Sequence, residues 1–306
     1  MKTGIIGRTE VLYDTALLMK KSGHTISYII TAKEAPEYTR TAEDFRTLAD
    51  EWSVPFASGA DIEKHHTFIK KYGADIGVSM NYSGIIPRAI IDLFPLGILN
   101  AHGGDLPRYR GNACQAWAIL NGESRIGLCI HKMIGGELDS GDIIARDYLP
   151  IDHTTKVTRT WEWMAERTPG LMMEAVNRLN VNPDYVLERQ SKNPADALRC
   201  YPRRPEDGRI DWNKPAIDVM RLINASNKPY AGAFCEYEGK KMIIWDAALV
   251  SDSEVFCAVP GQVTARFPGF IYIACRNGKL RLNSVEYENK ISEPDNIICS
   301  LRCRLY

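Results

Sequence analysis

The sequence has no run approaching the roughly 20 consecutive apolar residues that a membrane-spanning helix needs, which excludes a helical integral membrane protein. It also has no surplus of positive charge. Lys and Arg total 38, Asp and Glu total 38, and the formal net charge is zero, whereas a protein that grips many nucleic-acid phosphates draws on a basic excess. A polyanionic partner is therefore disfavoured. Paired cysteines are missing as well: Cys114, Cys129, Cys200, Cys235, Cys257, Cys275, Cys299 and Cys303 form no Cys-x-x-Cys pair and have no His at a zinc spacing. Neither a metal site nor a disulfide frame follows from that scatter, and Cys299 and Cys303 read as thiols of the tail. The glycine fingerprint of a dinucleotide site is absent, because the opening apolar run leads into Gly7-Arg8-Thr9-Glu10 rather than Gly-x-Gly-x-x-Gly. There is no internal repeat. The start, Met-Lys-Thr-Gly-Ile-Ile-Gly, reads as a strand and not as a signal peptide, so the cytoplasm is the expected address.

What is present points to an α/β chain. At 306 residues and 45% hydrophobic, it can bury one sizeable core and a smaller second one. Up to about residue 150, short apolar runs alternate with helical periodicity, the pattern of parallel strands joined by helical crossovers. Thr3–Gly7, Thr25–Thr31, Asp75–Met80 and Gly97–Asn100 read as strands, and 12–22, 41–52 and 61–72 as helices. Residues 126–149 read as two strands that finish the sheet. Trp161, Met164, Ala165, Met172, Ala175, Val176 and Leu179 lie at helical spacing in 155–179, where Pro169-Gly170 predicts a kink or a split. Beyond a polar stretch at 181–200, a short helix near 215–226 and many short strands between Gly, Pro and Asn turns predict a β-rich region. The expected architecture is a Rossmann-like, mostly parallel sheet with helices on both faces, over 1–185. A smaller β-rich, OB-like C-terminal domain is expected over 200–306.

The chemistry concentrates in Leu96–Gly111 and Gly135–Asp142. An apolar strand ends in Asn100-Ala101-His102, and strand alternation turns the amide and the imidazole the same way, at the carboxyl edge where α/β proteins bind ligands. Each signal alone is ordinary: an Asn-x-His pair at a strand end is commonly a satisfied structural pair, and Asp139 sits in a glycine-bracketed turn. Together, Asn100-x-His102, then Leu106-Pro107-Arg108-Tyr109-Arg110-Gly111, then Asp139 in Leu138-Asp139-Ser140-Gly141 resemble the folate-dependent formyltransferase family.

That resemblance implies that Asn100, His102 and Asp139 are the catalytic trio of an enzyme that takes a formyl group from 10-formyltetrahydrofolate. Formyl transfer to an amine passes through a tetrahedral oxyanion and releases a proton, so an oxyanion partner and a proton acceptor are needed. Asn100 and a protonated His102 suit the first role; Asp139 is expected to keep His102 charged, and either His102 or Asp139 to take the proton. No metal is required. The resemblance further implies a folate site lined by two loops: Met80, Tyr82, Ser83, Gly84, Ile85 and Ile86, and Ile134, Gly135, Gly136, Glu137 and Leu138. Gly104, Pro107, Tyr109, Arg110 and Gly111 would lie at the acceptor, with Arg203, Arg204 and Tyr230 from the C-terminal region.

Two kinds of family member share the two-part plan, the nucleotide-sugar N-formyltransferases and methionyl-tRNA formyltransferase. In the tRNA enzyme a basic loop follows the second strand. Here residues 32–52 hold three basic residues against six acidic ones, a local balance of −3, a poor grip for phosphates. The expected acceptor is therefore a nucleotide-linked 3- or 4-amino deoxy sugar of bacterial lipopolysaccharide or glycan biosynthesis, with no nucleic-acid or membrane partner. Guanidinium forks at Arg203 and Arg204 suit its diphosphate. The resemblance also admits a homodimer. A non-enzymatic alternative is a sugar-nucleotide or folate binding module that has lost activity. His131, His153, His65 and His66 are read as structural or exposed, and Trp212, Tyr230 and Phe234 as core packing ahead of stacking on a base.

Overall fold

The computed structural model describes residues 1–36 and 38–306; Glu37, one of the six acids of the 32–52 segment, lies outside the described residues. The chain divides into two compact units, one of 1–111, 127–149 and 162–200, the other of 112–126, 150–161 and 201–306.

The first unit is built on β1 (Lys2–Gly7), β2 (Thr25–Thr31), β3 (Phe56–Ser58), β4 (Ile76–Met80), β5 (Ile98–His102), β6 (Tyr109–Gly111), β7 (Arg125–Lys132), β8 (Ile143–Pro150) and β9 (Leu198–Cys200). Seven of these form one sheet in the order β3-β2-β1-β4-β5-β7-β8. The pairings from β3 through to β5 are parallel, and β7 then runs antiparallel to β5. Chain order reverses between β1 and β4, the arrangement expected of a doubly wound sheet. β6 and β9 form a separate parallel pair.

Alternation along buried strands explains why helices cover both faces. Ile5 joins a core with Leu12, Phe45 and Met172 from α1 (Glu10–Lys21), α2 (Ala42–Glu51) and α6 (Val157–Val181); its neighbour Ile6 joins another with Ile69 and Ile90 from α3 (His66–Tyr72) and α4 (Arg88–Ile91). The helix starts are capped as the sequence dictates. The Thr9 hydroxyl accepts from the Leu12 amide, and Thr41 and Asp44 form a reciprocal capping box. The split expected at Pro169 does not occur, and α6 is unbroken over 25 residues. Proline removes one backbone hydrogen bond, but Leu171, Met172, Ala175, Val176 and Leu179 immediately beyond it are all buried in the first core, and that packing holds the helix.

The second unit contains α5 (Cys114–Leu120), α7 (Ala216–Ala225) and an antiparallel sheet of β10 (Ala233–Tyr237), β11 (Lys240–Leu249), β12 (Val263–Phe267), β13 (Phe270–Ala274), β14 (Lys279–Tyr287) and β15 (Lys290–Ser292). Its core joins Val219, Met220 and Ile223 of α7 to Trp212 and the inward residues of the sheet. The α/β part followed by a β-rich part matches the expected fold class. Among the described residues no helix is long and apolar enough to cross a membrane.

Candidate active site

The carboxyl end of β5 carries the polar pair that the sequence singled out. In the antiparallel register of β5 and β7, Asn100 stands opposite His131 and His102 opposite Cys129. Asn100 Nδ2 lies 3.3 Å from His131 Nε2. His131 Nδ1 lies 2.9 Å from its neighbour Lys132's carbonyl oxygen, so Nδ1 carries a proton and Nε2 is the nitrogen turned towards Asn100 and Asp139. Asp139 arrives from the β7–β8 connection with φ at 49°, a left-handed conformation that Asp tolerates better than most residues. Its two oxygens face both imidazoles: Oδ2 is 3.5 Å from His102 Nδ1 and Oδ1 is 3.5 Å from His131 Nε2. The Gly111 amide donates to Asp139 Oδ2 at 3.0 Å. The three residues predicted to act together are thus in one cluster, joined by His131.

His102 Nε2 lies 2.7 Å from the Tyr109 carbonyl. A carbonyl only accepts, so Nε2 carries the proton and the basic lone pair of neutral His102 is on Nδ1, beside Asp139. The approach is close because position 104 is glycine: a Cβ there would overlap both the Tyr109 carbonyl and His102 Nε2. Burial pushes the His102 imidazole below its usual value, with His131 and Arg110 adding to that effect and Asp139 and the Tyr109 carbonyl opposing it. The structure thus works against the charged resting His102 expected from the sequence, because desolvation outweighs the neighbouring carboxylate. Burial also disfavours the Asp139 carboxylate, yet His102, His131 and the Gly111 N–H hold it well below the ordinary carboxylate range. Asp139 is thus an anion and a feeble base. The cluster offers the His102 imidazole, a negative charge beside it to stabilise its protonated form, and the Asn100 amide.

His131 was missed by the sequence reading, which took it as structural or exposed. It is 2% exposed, and the only signal for it was an imidazole at the end of the apolar run Ile126–Ile130.

The two predicted folate loops converge. A Cβ on Gly135 would overlap the main chain of Arg88, immediately after the first loop, and the second loop turns through Gly136 at φ 79°. Ser83, Gly84, Ile85, Gly136, Glu137 and Leu138 are exposed, Ile85 by 83%. Met80 and Ile86 instead place their side chains in the core, while the Tyr82 hydroxyl donates to the Gly59 carbonyl at 2.6 Å. Ile134 and Gly135 are half-buried.

Of the acceptor candidates, Tyr109 is buried, Pro107 and Gly111 are half-buried, and Arg110 is half-buried with a buried Nε that has no hydrogen-bond partner among the described residues. In the second unit, Arg203, Arg204 and Tyr230 line one pocket of about 70 Å³ with Ser226 and Gly232. Arg203 is already engaged there: it donates to the carbonyls of Ala225 (3.1 Å) and Asp207 (3.0 Å) and to the Ser226 hydroxyl (3.1 Å). Arg204 is exposed. Among the described residues, no group of three or more His, Cys, Asp or Glu side chains is placed to hold a metal ion.

A family model described as formyl transferase matches residues 5–176, and one described as formyl transferase, C-terminal domain, matches residues 203–301. Similar folds occur in HypX from Aquifex aeolicus in complex with tetrahydrofolic acid, at 18% identity and a TM-score of 0.62 over 98% of this chain and 47% of that one. The chain spans about half the length of the HypX chains it matches. They also occur in WlaRD, a sugar 3N-formyl transferase solved in the presence of dTDP and 5-N-formyl-THF, at 17% identity and a TM-score of 0.69 over 92% of this chain and 97% of that one. An N-formyltransferase from Helicobacter canadensis, in complex with folinic acid and dTDP-3-aminofucose, matches at 16% identity and a TM-score of 0.69, over 92% and 99%. At these identities the likeness is one of fold.

Proposed function

The chain belongs to the formyl transferase family, and from that premise we propose that it moves a formyl group from 10-formyltetrahydrofolate to the amine of a nucleotide-activated 3- or 4-amino deoxy sugar. The observation that carries this reading is the neutral, buried His102 with its Nδ1 beside ionised Asp139 and with Asn100 on the same strand.

In the proposed reaction the acceptor amine attacks the formyl carbon. A nitrogen–carbon bond forms and the carbonyl electron pair moves onto oxygen, where an N–H of Asn100 meets the developing negative charge. His102 accepts the proton that the attacking nitrogen must lose, at Nδ1, and Asp139 stabilises the imidazolium without itself being protonated. Collapse of the intermediate breaks the carbon–N10 bond of the folate, and His102 returns the proton to N10. The products are a formamide and tetrahydrofolate, and the imidazole is neutral again. Of the two candidate proton acceptors, His102 is preferred because Asp139 is held too acidic to compete.

For the acceptor, support comes from charge and from fold. The net charge is zero and residues 32–52 carry a balance of −3, which removes the footing that phosphate contacts to a tRNA stem draw on. Two of the similar structures are described with dTDP or a dTDP-amino sugar. The test mixes the protein and 10-formyltetrahydrofolate with a panel of nucleotide-linked amino sugars and, separately, with methionyl-tRNA. Formylated sugar is the expected product. Formylation of methionyl-tRNA with an inert sugar panel would overturn the acceptor, and folate binding with no formyl transfer to either would leave the inactive binding module.

A further inference from the structure

Residues 177–202 lie between the two family models, yet part of this stretch wraps the catalytic turn. At one end it docks on the edge of β8: the amides of Leu187 and Glu188 donate to the Ile143 carbonyl (2.9 and 3.1 Å), and the Ile143 amide donates to Glu188 O at 2.9 Å. At the other end β9 pairs with β6, placing Leu198 beside Tyr109 and Cys200 beside Gly111. Between these anchors sits Gln190, only 4% exposed. Its Nε2 donates to the main-chain carbonyls of Asp139 (2.9 Å) and Gly141 (2.6 Å), and its Oε1 accepts from an Arg110 terminal nitrogen (2.9 Å).

We infer that Gln190 is a positioning residue that sets the Asp139 carboxylate against His102. Asp139 sits in a left-handed conformation that few side chains favour, so the turn depends on what grips its carbonyls. One amide grips both of them and also holds Arg110, the neighbour of Gly111, whose N–H donates to Asp139 Oδ2. Gln190 therefore fixes both partners of the Asp139–Gly111 hydrogen bond at once. Only an amide has the chemistry: two N–H donors for the two carbonyls and an oxygen for the guanidinium. A carboxylate at this position would keep the guanidinium and repel both carbonyls.

This inference rests on the proposed place of Asp139 in formyl transfer, and its test reads both turnover and a substrate-free signal. In Gln190→Met, similar in shape but without donors, turnover should fall on the order of a hundredfold, the scale of a misplaced catalytic group. Folate affinity should fall by far less than turnover, since the Gln190 amide bonds the carbonyls of Asp139 and Gly141 and none of the residues expected to hold folate. The His102 titration, followed by NMR without substrate, should move to lower pH as the carboxylate that opposes burial moves away. A folded Gln190→Met protein with an unmoved or raised His102 titration, or with turnover within about threefold of the parent, overturns the inference. A parent protein with no transfer to any amine sinks the functional reading instead, while the titration still decides the role of Gln190. Should Gln190→Met not fold, Gln190→Glu takes its place. That side chain can donate only when protonated, so the ratio of its turnover to the parent's should climb as pH is lowered, and a flat ratio overturns the inference.

Discussion

The candidate catalytic cluster of the first unit and the arginine pocket of the second use polar groups in opposite ways. At the end of β5 the polar groups face one another: His102 Nδ1 stands 3.5 Å from Asp139, and Asp139 faces His131 Nε2 at the same distance. In the pocket, Arg203 is engaged by the carbonyls of Ala225 and Asp207 and by the Ser226 hydroxyl. A polar side chain whose partners are all backbone and hydroxyl groups of its own unit holds a fold. One that faces other titratable groups is arranged for chemistry.

The largest expected effect of breaking that contrast is at Asp139. Asp139→Asn should fold, as judged by an unchanged circular dichroism spectrum, and lose about a hundredfold or more in turnover, because a neutral amide cannot stabilise the His102 imidazolium. Near-normal turnover would remove Asp139 from the mechanism. His102→Asn should lose a comparable factor while the folate dissociation constant stays within about twofold; a collapse of folate binding in a folded protein would make His102 a ligand contact instead.

On the other side of the comparison the effect should be on stability. Arg203→Ala leaves the carbonyl of buried Ala225 and the buried Ser226 hydroxyl without their donor, a loss of about 1–3 kcal/mol, visible as a lower melting temperature with little change in turnover. Arg204→Ala, at an exposed position, should shift stability by no more than about 0.5 kcal/mol and should raise KM for the sugar nucleotide if that guanidinium meets its phosphates. A KM effect confined to Arg203, with stability intact, would reverse the two roles.

A smaller effect follows from linkage. The His102 value is lower folded than unfolded, where it is 6.5, so between the two the unfolded chain binds more protons and stability falls as pH drops below about 6.5. Asp139 is lowered as well, so its contribution is complete above the ordinary carboxylate range and is lost as pH falls through and below that range. Melting temperature should therefore decline from pH 7 to pH 5 more steeply in the parent than in His102→Asn. Parallel curves would mean that His102 is not the buried neutral base described.

Much of this was legible in the sequence where the signal is local. Strands such as Thr25–Thr31 and the trio of Asn100, His102 and Asp139 stand in short, strongly patterned segments. β3, α4 and α5 were not read, because three to seven residues give periodicity too little length to register. His131 escaped because its partnership with Asn100 is set by the β5–β7 register, 31 residues away, which no spacing rule encodes. Gln190 escaped because its polar surroundings read as a linker, although its amide reaches Asp139 across 51 positions. Pro169 misled for the reverse reason: a strong local signal yielded to the buried residues that follow it. Arg203 and Arg204 were chosen by residue type, and type alone could not tell a guanidinium engaged within its own unit from an exposed one.

The most direct measurement follows the formyl carbon itself. 10-Formyltetrahydrofolate carrying a labelled formyl group is incubated with the protein and nucleotide-linked amino sugars, and the label is located by mass spectrometry beside an Asp139→Asn control. The predicted result is label in a sugar formamide, in step with tetrahydrofolate release and strongly diminished in the control. Label that remains on the folate, or leaves only as formate while folate is bound, would contradict transfer by this site.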